Sequence, residues 1–484
     1  MLLEATPTQT IIREISADLE TPISVYMKLR GEDASFLLES VEGGERIARY
    51  SFIGVHPKAQ YIIRDNDIEI KDANGVRTVH YAGDPTYFLQ EEMSRYKFMP
   101  QAGVPRFIGG LVGYLGYEAV RFFEPTLKSG MTRHLAPDTH HRPDGIYLLA
   151  DTVVAFDHAR RSLSLIANVL DGDVNSANHK LDEIESRIQS PLPPAQTREI
   201  KASKTRSNMT QGSFEDMVRD AKEHVAAGDI FQVVLSQRFT RETNVEPFDV
   251  YRAVRRLNPS PYMFFFDFGI VDNEPYYLVG SSPEIFVRLE GRTASLRPIA
   301  GTRPRGADAN ADAALAQELL ADPKECAEHV MLVDLGRNDL GRVCEYGTVK
   351  VSDFFAIEKY SHVMHIVSHV EGKLRPDLTA FDLVRAAFPA GTVSGAPKVR
   401  ALEIIAELEP DARGAYAGTV GYFGFDGNMD TCLAIRTMVG RGNTFSVQAG
   451  AGIVADSNPS TEFQETVNKA SAMLKAIDVA EQNQ

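Results

Sequence analysis

Short apolar runs bounded by turn residues dominate the first part of the chain, at positions 36–40, 49–54, 61–70, 146–157 and 162–168. Runs of this length that alternate with polar residues, or that end at turn residues, are typical of β-strands. Around residues 85–97 and 175–189, apolar residues recur at helical spacing instead, which predicts two helices. The first part of the chain is therefore predicted to be a strand-rich domain.

The second part of the chain combines similar strands with longer helices. Ser213 and Asp216 resemble a capping box, and apolar residues recur after them at helical spacing. A long helix is predicted after Asp322 and Pro323, which form a natural N-cap and first-turn pair. A further helix is predicted from about Thr461 to the end of the chain.

Consecutive hairpins with interspersed helices indicate the α+β class, with antiparallel β-sheets packed as a sandwich and helices on the outside. The hairpin that turns at Asp426 and Gly427 is one example. Residues 189–212 are polar, contain proline and lack apolar periodicity, which predicts a linker. The linker separates a strand-rich domain over residues 1–200 from a second domain over residues 210–484, and we expect the two domains to associate closely.

Composition and charge exclude several classes of protein. The chain has 484 residues, 43% of them hydrophobic, and a formal net charge of −15. This charge argues against nucleic acid as the main partner, because duplex binding requires Lys and Arg to displace counterions. No apolar run is long enough to span a bilayer and no secretory signal pattern is present, so a cytoplasmic protein without a membrane partner is expected. The three cysteines lack metal-ligand spacing and are predicted to be reduced.

Two pairs of glutamates stand three residues apart on predicted helices, Glu325 with Glu328 and Glu462 with Glu465. Residues at i and i+3 share a helix face, so each pair places like charges side by side at a cost of roughly 0.2–0.5 kcal/mol. A divalent cation would relieve this repulsion, and carboxylate oxygens select a hard ion, Mg²⁺ or Ca²⁺. From the spacing alone, a solvated acidic face is the alternative explanation.

Two other segments invite a ligand-binding interpretation. Residues 391–398 (GTVSGAPK) lack Walker A spacing and predict a Gly-rich loop that leads into a helix at Pro397, where free N–H groups would suit a carboxylate. An ordinary loop is the alternative. His362, His365 and His369 lie in a Val- and Ile-rich predicted strand, on which only the last two share a face. A core histidine or a single acid–base group explains this segment better than zinc.

Taken together, the motifs resemble the chorismate-utilising enzymes, and most closely the anthranilate synthase component I family. The segments that carry the resemblance occur in the family's order and are GSSPE (280–284), PIAGTRPRG (298–306), KECAEHVMLVDLGRNDLGRV (324–343), FPAGTVSGAPKVRALEII (388–405), GYFGFDGNMDTCLAIRT (421–437) and QAGAGIVADSNPSTEFQET (448–466). LLES (37–40) and RYSFIG (49–54) are weaker marks in the first domain. The resemblance implies that chorismate and ammonia are converted to anthranilate and pyruvate, the first committed step of tryptophan biosynthesis.

The resemblance also implies roles for individual residues. Glu284 is implied to protonate the departing C4 hydroxyl of chorismate, and His365 to assist the elimination of pyruvate. Arg436 and Tyr416 are implied to bind the enolpyruvyl carboxylate. The implied substrate-binding residues as a group are Thr302, Thr392, Tyr416, Arg436, Gly450, Ala451 and Gly452. The implied Mg²⁺ site, which would hold the ring carboxylate, consists of Glu325, Glu328, Glu462 and Glu465.

A tryptophan feedback site between the domains is implied as well. Its residues are Leu38, Glu39, Ser40, Asn258, Pro259, Ser260, Pro261, Tyr262 and Met263, and Cys432 resembles a position associated with it. Ala300 and Gln232 stand where relatives that make other products carry a lysine, so the resemblance implies that the nucleophile is external ammonia. The sequence contains no glutaminase segment with a nucleophilic cysteine, so a separate glutamine amidotransferase subunit is the implied partner.

Overall fold

Two large β-sheets form the centre of the protein in a computed structural model that describes residues 6–40, 49–98, 103–127, 142–194, 198–360 and 363–482. The strands of the described residues are β1 Thr6–Ser16, β2 Ser35–Glu39, β3 Tyr50–Val55, β4 Ala59–Arg64, β5 Asp67–Asp72, β6 Gly75–His80, β7 Tyr96–Phe98, β8 Gly110–Leu115, β9 Gly145–Ala150, β10 Thr152–Asp157, β11 Ser162–Val169, β12 Arg206–Ser207, β13 Gln232–Glu242, β14 Tyr262–Val271, β15 Glu274–Ser282, β16 Ile285–Glu290, β17 Thr293–Leu296, β18 Ile299–Pro304, β19 Lys350–Lys359, β20 Val363–Lys373, β21 Gly395–Ala396, β22 Thr419–Gly424, β23 Met429–Leu433, β24 Thr437–Arg441 and β25 Thr444–Ile453.

Helices pack around the sheets. The α-helices of the described residues are α1 Pro22–Leu29, α2 Thr86–Ser94, α3 Val120–Phe123, α4 Val174–Gln189, α5 Gln211–Ala227, α6 Pro247–Leu257, α7 Ala309–Ala321, α8 Pro323–Gly341, α9 Ala380–Ala387, α10 Lys398–Leu408 and α11 Pro459–Gln482. None of these helices is long and apolar enough to cross a membrane.

Both sheets contain strands from both parts of the chain. The first sheet has the order β12-β13-β25-β24-β15-β14-β2-β3-β10-β11-β1-β7, with β21 beside β13. The second has the order β18-β20-β17-β16-β23-β22-β8-β9-β4-β5-β6, with β19 beside β20. The halves join where β2 pairs with β14 and where β8 pairs with β22, both antiparallel. The sequence segments predicted as two domains therefore share two continuous sheets.

The apolar side chains form layers that match the two-residue period of the strands. Phe36 on β2 and Phe264 on β14 belong to a buried cluster that also contains Tyr114 and Tyr422 of the second sheet. The neighbouring Leu37 faces the opposite way and packs in a cluster with α1, α4 and α6. Helices α8 and α9 pack against the second sheet. The predicted α+β sandwich with helices on the outside is confirmed.

The start of a helix was predicted correctly where the sequence offers one capping residue, and incorrectly where it offers two. Asp322 caps α8, because its side chain accepts hydrogen bonds from the N–H groups of Lys324 and Glu325. The capping box predicted at Ser213 is wrong. Helix α5 begins earlier, and the side chain of Thr210 accepts the N–H of Ser213 at 3.1 Å. Since Thr210 and Ser213 are both hydroxyl residues, the sequence does not distinguish between them as caps.

Two predicted boundaries also moved because of tertiary pairing. The helix predicted over residues 85–97 ends at Ser94, and the following residues form β7, which pairs in parallel with β1. The predicted linker over residues 189–212 includes β12, which pairs with β13 at the edge of the first sheet. Such pairings depend on partners distant in sequence, so local pattern does not reveal them.

Candidate active site

A cavity of about 370 Å³ lies among β13, β25, α8 and α11, and it is lined by most of the residues that the sequence singled out. The predicted residues in its wall are Glu284, Thr392, Tyr416, Arg436, Gly450, Gly452, Glu328, Glu462 and Glu465. They come from loops, strands and helices that are far apart in sequence. The fold therefore brings the predicted catalytic acid, carboxylate-binding groups and acidic pairs to one space.

Strand β25 forms one wall of this cavity. Gly450 and Gly452 lie on the same face of the strand, and a Cβ atom at these positions would lie 2.6 Å from the hydroxyl oxygen of Tyr416 and 2.7 Å from Nε2 of Gln232, respectively. Glycine is required there because these two side chains occupy the space a Cβ atom would need. Ala451 points the other way, and its side chain is fully buried in the core.

Glu284 stands at the end of β15, half-buried at the cavity wall. Its Oε1 accepts a hydrogen bond from the Thr392 hydroxyl at 3.0 Å. Burial raises the pKa of Glu284 to about 7, against the opposing effects of the Thr392 hydrogen bond and the charge of Lys469. A carboxyl group with this pKa holds its proton in part at neutral pH, so it is suited to act as a general acid.

His365 lies on β20, where it faces Thr302 of β18. Its Nδ1 lies 2.9 Å from the carbonyl oxygen of Gly301 and 3.1 Å from the Thr302 hydroxyl. Because a carbonyl oxygen only accepts, Nδ1 carries the proton, which leaves Nε2 as a proton acceptor. Burial lowers the pKa of His365, and the positive charge of Arg436 lowers it further. The imidazole is therefore neutral near pH 7 and available as a base.

Neither His365 nor Thr302 is among the residues that line the cavity; both lie beside it near Arg436. His369 shares a strand face with His365 but pairs with Glu371, at 3.4 Å between Nε2 and Oε2. His362 lies outside the described residues. The histidine segment is thus a strand, as predicted, with the two histidines in separate interactions.

Arg436 presents a half-buried positive charge to the cavity. Burial lowers its pKa, and Arg436 forms no salt bridge with any residue that the structure describes. Its Nη1 donates a weak hydrogen bond to Oδ1 of Asn258 at 3.4 Å. A planar guanidinium without an acidic partner is suited to bind a carboxylate through two hydrogen bonds.

Three of the four predicted metal ligands, Glu328, Glu462 and Glu465, line the same cavity, whereas Glu325 does not. Burial raises the pKa of Glu328, and the charges of Glu325 and Glu465 add to this effect. Burial also raises the pKa of Glu462. The like charges on α8 and α11 therefore repel one another, and a hard cation bound by their oxygens would offset the repulsion. The donor set fits Mg²⁺ in its chemistry.

Basic side chains form salt bridges with two of these glutamates. Arg303 lies 3.3 Å from Glu325, and Lys469 lies 2.6 Å from Glu465. In the described part of the chain, no three acidic, His or Cys side chains are close enough together to form a metal site. Binding of a cation would therefore require the glutamate side chains to turn away from these basic partners.

A second cavity, of about 50 Å³, contains part of the predicted regulatory site. Strand β2 pairs with β14 so that Glu39 lies opposite Met263. Of the predicted residues, those that line the cavity are Leu38, Glu39, Ser40, Pro261, Tyr262 and Met263, together with Cys432. The sheet pairing thus brings the two predicted halves of the site together.

The remaining residues of the predicted regulatory segment, Asn258, Pro259 and Ser260, do not line this second cavity. Asn258 instead contacts the active-site cavity through its hydrogen bond to Arg436. Ser281 contacts both Asn258 and Arg436. Its N–H donates to the carbonyl oxygen of Arg436 at 3.0 Å, and its hydroxyl donates to the carbonyl oxygen of Asn258. A short chain of contacts therefore connects the regulatory segment with Arg436.

Among the polar residues of the cavity wall, sequence reasoning missed Lys324, Lys469, Gln448 and Ser457. Lys324 stands four residues before Glu328 on α8 and Lys469 four residues after Glu465 on α11, and this helical spacing is a weak signal. Gln448 stands two positions before Gly450 on β25, so the two-residue period of a strand places it on the cavity face.

The chain is similar in sequence to a family of known enzymes. The family model described as chorismate binding enzyme matches residues 33–475. The chain is 46% identical over 479 residues to anthranilate synthase component 1 of Pseudomonas aeruginosa, covering 97% of this chain and 95% of that protein. It is 45% identical over 482 residues to anthranilate synthase component 1 of Aquifex aeolicus, covering 97% and 95%.

Solved structures show the same fold. The crystal structure of anthranilate synthase component I from Streptococcus pneumoniae superposes with a TM-score of 0.77 at 36% identity, covering 95% of this chain and 98% of that chain. The menaquinone-specific isochorismate synthase from Escherichia coli superposes with a TM-score of 0.71 at 19% identity, covering 98% and 95%, and shows the fold alone.

Proposed function

Because the chain belongs to the family of chorismate binding enzymes, we propose that it converts chorismate and ammonia to anthranilate and pyruvate. The observation that carries this proposal is the pairing of two groups in one cavity. Glu284 is a carboxyl group with a pKa of about 7, and Arg436 is a half-buried guanidinium without an acidic partner among the described residues. A dicarboxylate that must lose a hydroxyl group needs both functions. The activity in the names of the similar proteins supports the same reaction.

In this proposal Arg436 and the hydroxyl of Tyr416 bind the enolpyruvyl carboxylate of chorismate. At Gly450 and Gly452, the absence of a Cβ atom leaves room for the Tyr416 hydroxyl and the Gln232 amide against the backbone of β25. Thr392 holds the carboxyl group of Glu284 in place through its hydrogen bond. These contacts fix the ring relative to the proton donor before the reaction begins.

The first step is amination of the ring. Ammonia forms a bond to C2 while the bond from C4 to its hydroxyl oxygen breaks, and the proton of Glu284 converts the leaving hydroxyl to water. The new ammonium group then loses a proton. The second step is elimination, in which the neutral His365 accepts the C2 proton at Nε2 and the bond from C3 to the enolpyruvyl oxygen breaks. The enolate of pyruvate leaves and becomes pyruvate when its methylene carbon takes up a proton from solvent, and the ring becomes aromatic as anthranilate.

The acidic residues Glu325, Glu328, Glu462 and Glu465 would hold Mg²⁺ in this proposal. The ion would neutralise the ring carboxylate of chorismate and anchor it between α8 and α11. Without a cation, four glutamates would repel a dianionic substrate. Ca²⁺ is a poorer candidate because Mg²⁺ readily keeps water and substrate oxygens in its octahedral shell.

We further propose that ammonia reaches this site from a separate glutamine amidotransferase subunit and that tryptophan inhibits the reaction. Two observations support external ammonia: Gln232 lines the cavity, and Ala300 lies on β18 in the strand that carries Thr302, so neither position provides an amine. The designation of the similar proteins as a component 1 is in keeping with a partner subunit.

The proposed activity is tested directly by a fluorescence assay for anthranilate with the purified chain, chorismate and excess ammonium. We expect anthranilate to form in the presence of Mg²⁺ and its formation to stop when a chelator removes the ion. A product that is aminated but retains the enolpyruvyl group would instead assign the chain to 4-amino-4-deoxychorismate synthesis. A folded chain that binds tryptophan without turning over chorismate would indicate a purely regulatory subunit.

The regulatory proposal is tested by Ser40→Ala. The Ser40 hydroxyl is buried in the second cavity and has no hydrogen-bond partner among the described residues, so its loss should change stability little. If it binds the charged amino acid, its removal should raise the inhibition constant for tryptophan about tenfold or more while kcat stays the same. Ser51→Ala, at a buried serine of the neighbouring strand, is the control and should leave inhibition unchanged. An unchanged inhibition constant in Ser40→Ala would place the tryptophan site elsewhere.

A further inference from the structure

Gln448 combines two features that the proposed reaction has not yet used. Its side chain lines the active-site cavity but is only 8% exposed. Its carbonyl oxygen, Oε1, is buried and accepts no hydrogen bond from any group in the described part of the chain. Buried polar atoms in folded proteins almost always have a partner, so an orphan acceptor in a cavity wall calls for a ligand.

The orientation of the Gln448 amide follows from a chain of hydrogen bonds behind the cavity. The Ser236 hydroxyl donates to Oε1 of Glu409 at 2.8 Å, because a carboxylate only accepts. The Ser236 oxygen must therefore accept from Gln448, and the distance to Nε2 is 2.9 Å. This bond holds the NH₂ group of the amide on the Ser236 side and turns Oε1 away from it.

The charge behind this chain keeps the direction of the bonds fixed. Arg413 donates to both oxygens of Glu409, at 2.8 and 2.6 Å, and the side chains of this pair are 1% and 3% exposed. The carboxylate oxygen that accepts from the Ser236 hydroxyl also accepts from the Ser236 N–H at 2.7 Å and from Arg413, so it serves as an acceptor throughout. The amide of Gln448 is thus prevented from flipping, and only its oxygen remains to be satisfied.

We propose that Gln448 is a substrate-binding residue whose Oε1 accepts a hydrogen bond from an N–H or O–H group of a ligand in this cavity. This inference rests on the proposed function. A carboxylate cannot be the partner, since it would repel the carbonyl oxygen. The groups of the proposed reaction that can donate are the C4 hydroxyl of chorismate and ammonia. Ser236 and Glu409 act as positioning residues, because they reach the ligand only through Gln448.

Gln448→Met tests the proposal, because it keeps the length of the side chain and removes the amide. Dissociation constants for chorismate are measured with Mg²⁺ but without ammonium, and KM for ammonium is measured at saturating chorismate. If the C4 hydroxyl is the donor, the chorismate dissociation constant should rise about fivefold or more. If ammonia is the donor, KM for ammonium should rise by this factor while chorismate binding stays the same.

Two further variants make the result decisive. Gln60→Met removes another buried glutamine amide, far from the cavity, and should change neither constant. Ser236→Ala leaves Gln448 in place but frees its amide to turn, so the same constant should rise by a smaller factor; this variant decides the matter if Gln448→Met does not fold.

Constants that stay at the wild-type values in folded Gln448→Met, or in Ser236→Ala if Gln448→Met does not fold, would overturn the role of Gln448 alone. A wild-type chain that binds no chorismate would overturn the proposed function itself.

Discussion

Glu284→Gln should lower kcat about 10²- to 10⁴-fold while chorismate still binds, because the amide keeps the shape of the side chain but has no acidic proton to donate. Binding is measured at equilibrium and turnover by anthranilate fluorescence with ammonium. Glu290→Gln replaces an exposed glutamate at the end of β16 and serves as the matched control. Near-normal turnover in Glu284→Gln would remove this residue from the chemistry.

The pH dependence of the wild-type enzyme provides a second test of the same group. Burial raises the pKa of Glu284 to about 7, and only the protonated form donates a proton. The value of kcat/KM should therefore be lost progressively as the pH rises above about 7 and should be recovered as the pH falls toward that value. A profile without a basic limb near pH 7 would contradict the assignment of Glu284 as the acid.

Arg413→Met should lower the free energy of unfolding by about 3–5 kcal/mol, because it leaves the buried carboxylate of Glu409 without its counter-ion. The guanidinium also donates to the carbonyl oxygens of Val234 and Val393, and it lies 4.5 Å from the centroid of the Tyr117 ring. The free energy of unfolding is measured by urea denaturation.

The double variant Arg413→Met with Glu409→Gln should recover part of this loss, since no charge then remains buried. Arg337→Met is the control. It breaks an exposed pair with Asp334, whose side chains are 55% and 61% exposed, and should cost less than about 1 kcal/mol. Equal losses in Arg337→Met and Arg413→Met would show that burial of the Arg413 pair carries no special cost.

The strands and the class of fold were predictable because each strand is a short apolar or alternating run that ends at turn residues. The run predicted over residues 162–168 forms β11, which ends one residue later at Val169. The sharing of both sheets between the two halves was not predictable in this way. Pairing of β2 with β14 and of β8 with β22 joins segments separated by more than two hundred residues, and no local pattern records the partner.

The candidate site was likewise predictable only as far as local spacing determines it. Helical spacing predicts that Glu325 and Glu328 share one face, and that Glu462 and Glu465 share another. That the two faces meet at one cavity depends on how α8 and α11 pack, which spacing does not describe. Gln448 was missed for a different reason, since its value as a ligand group depends on the hydrogen bonds of Ser236 and Glu409 behind it.

The pairing of β2 with β14 and of β8 with β22 restricts how the two halves can move. A hinge opening between them would break main-chain hydrogen bonds in both sheets at once, which makes a large rigid-body rotation costly. A signal from the cavity beside Ser40 must then travel as a small displacement within one continuous framework. In the proposed regulation, the hydrogen bond from the Arg436 guanidinium to Asn258 connects the two sites, so inhibition would act by misaligning one carboxylate anchor.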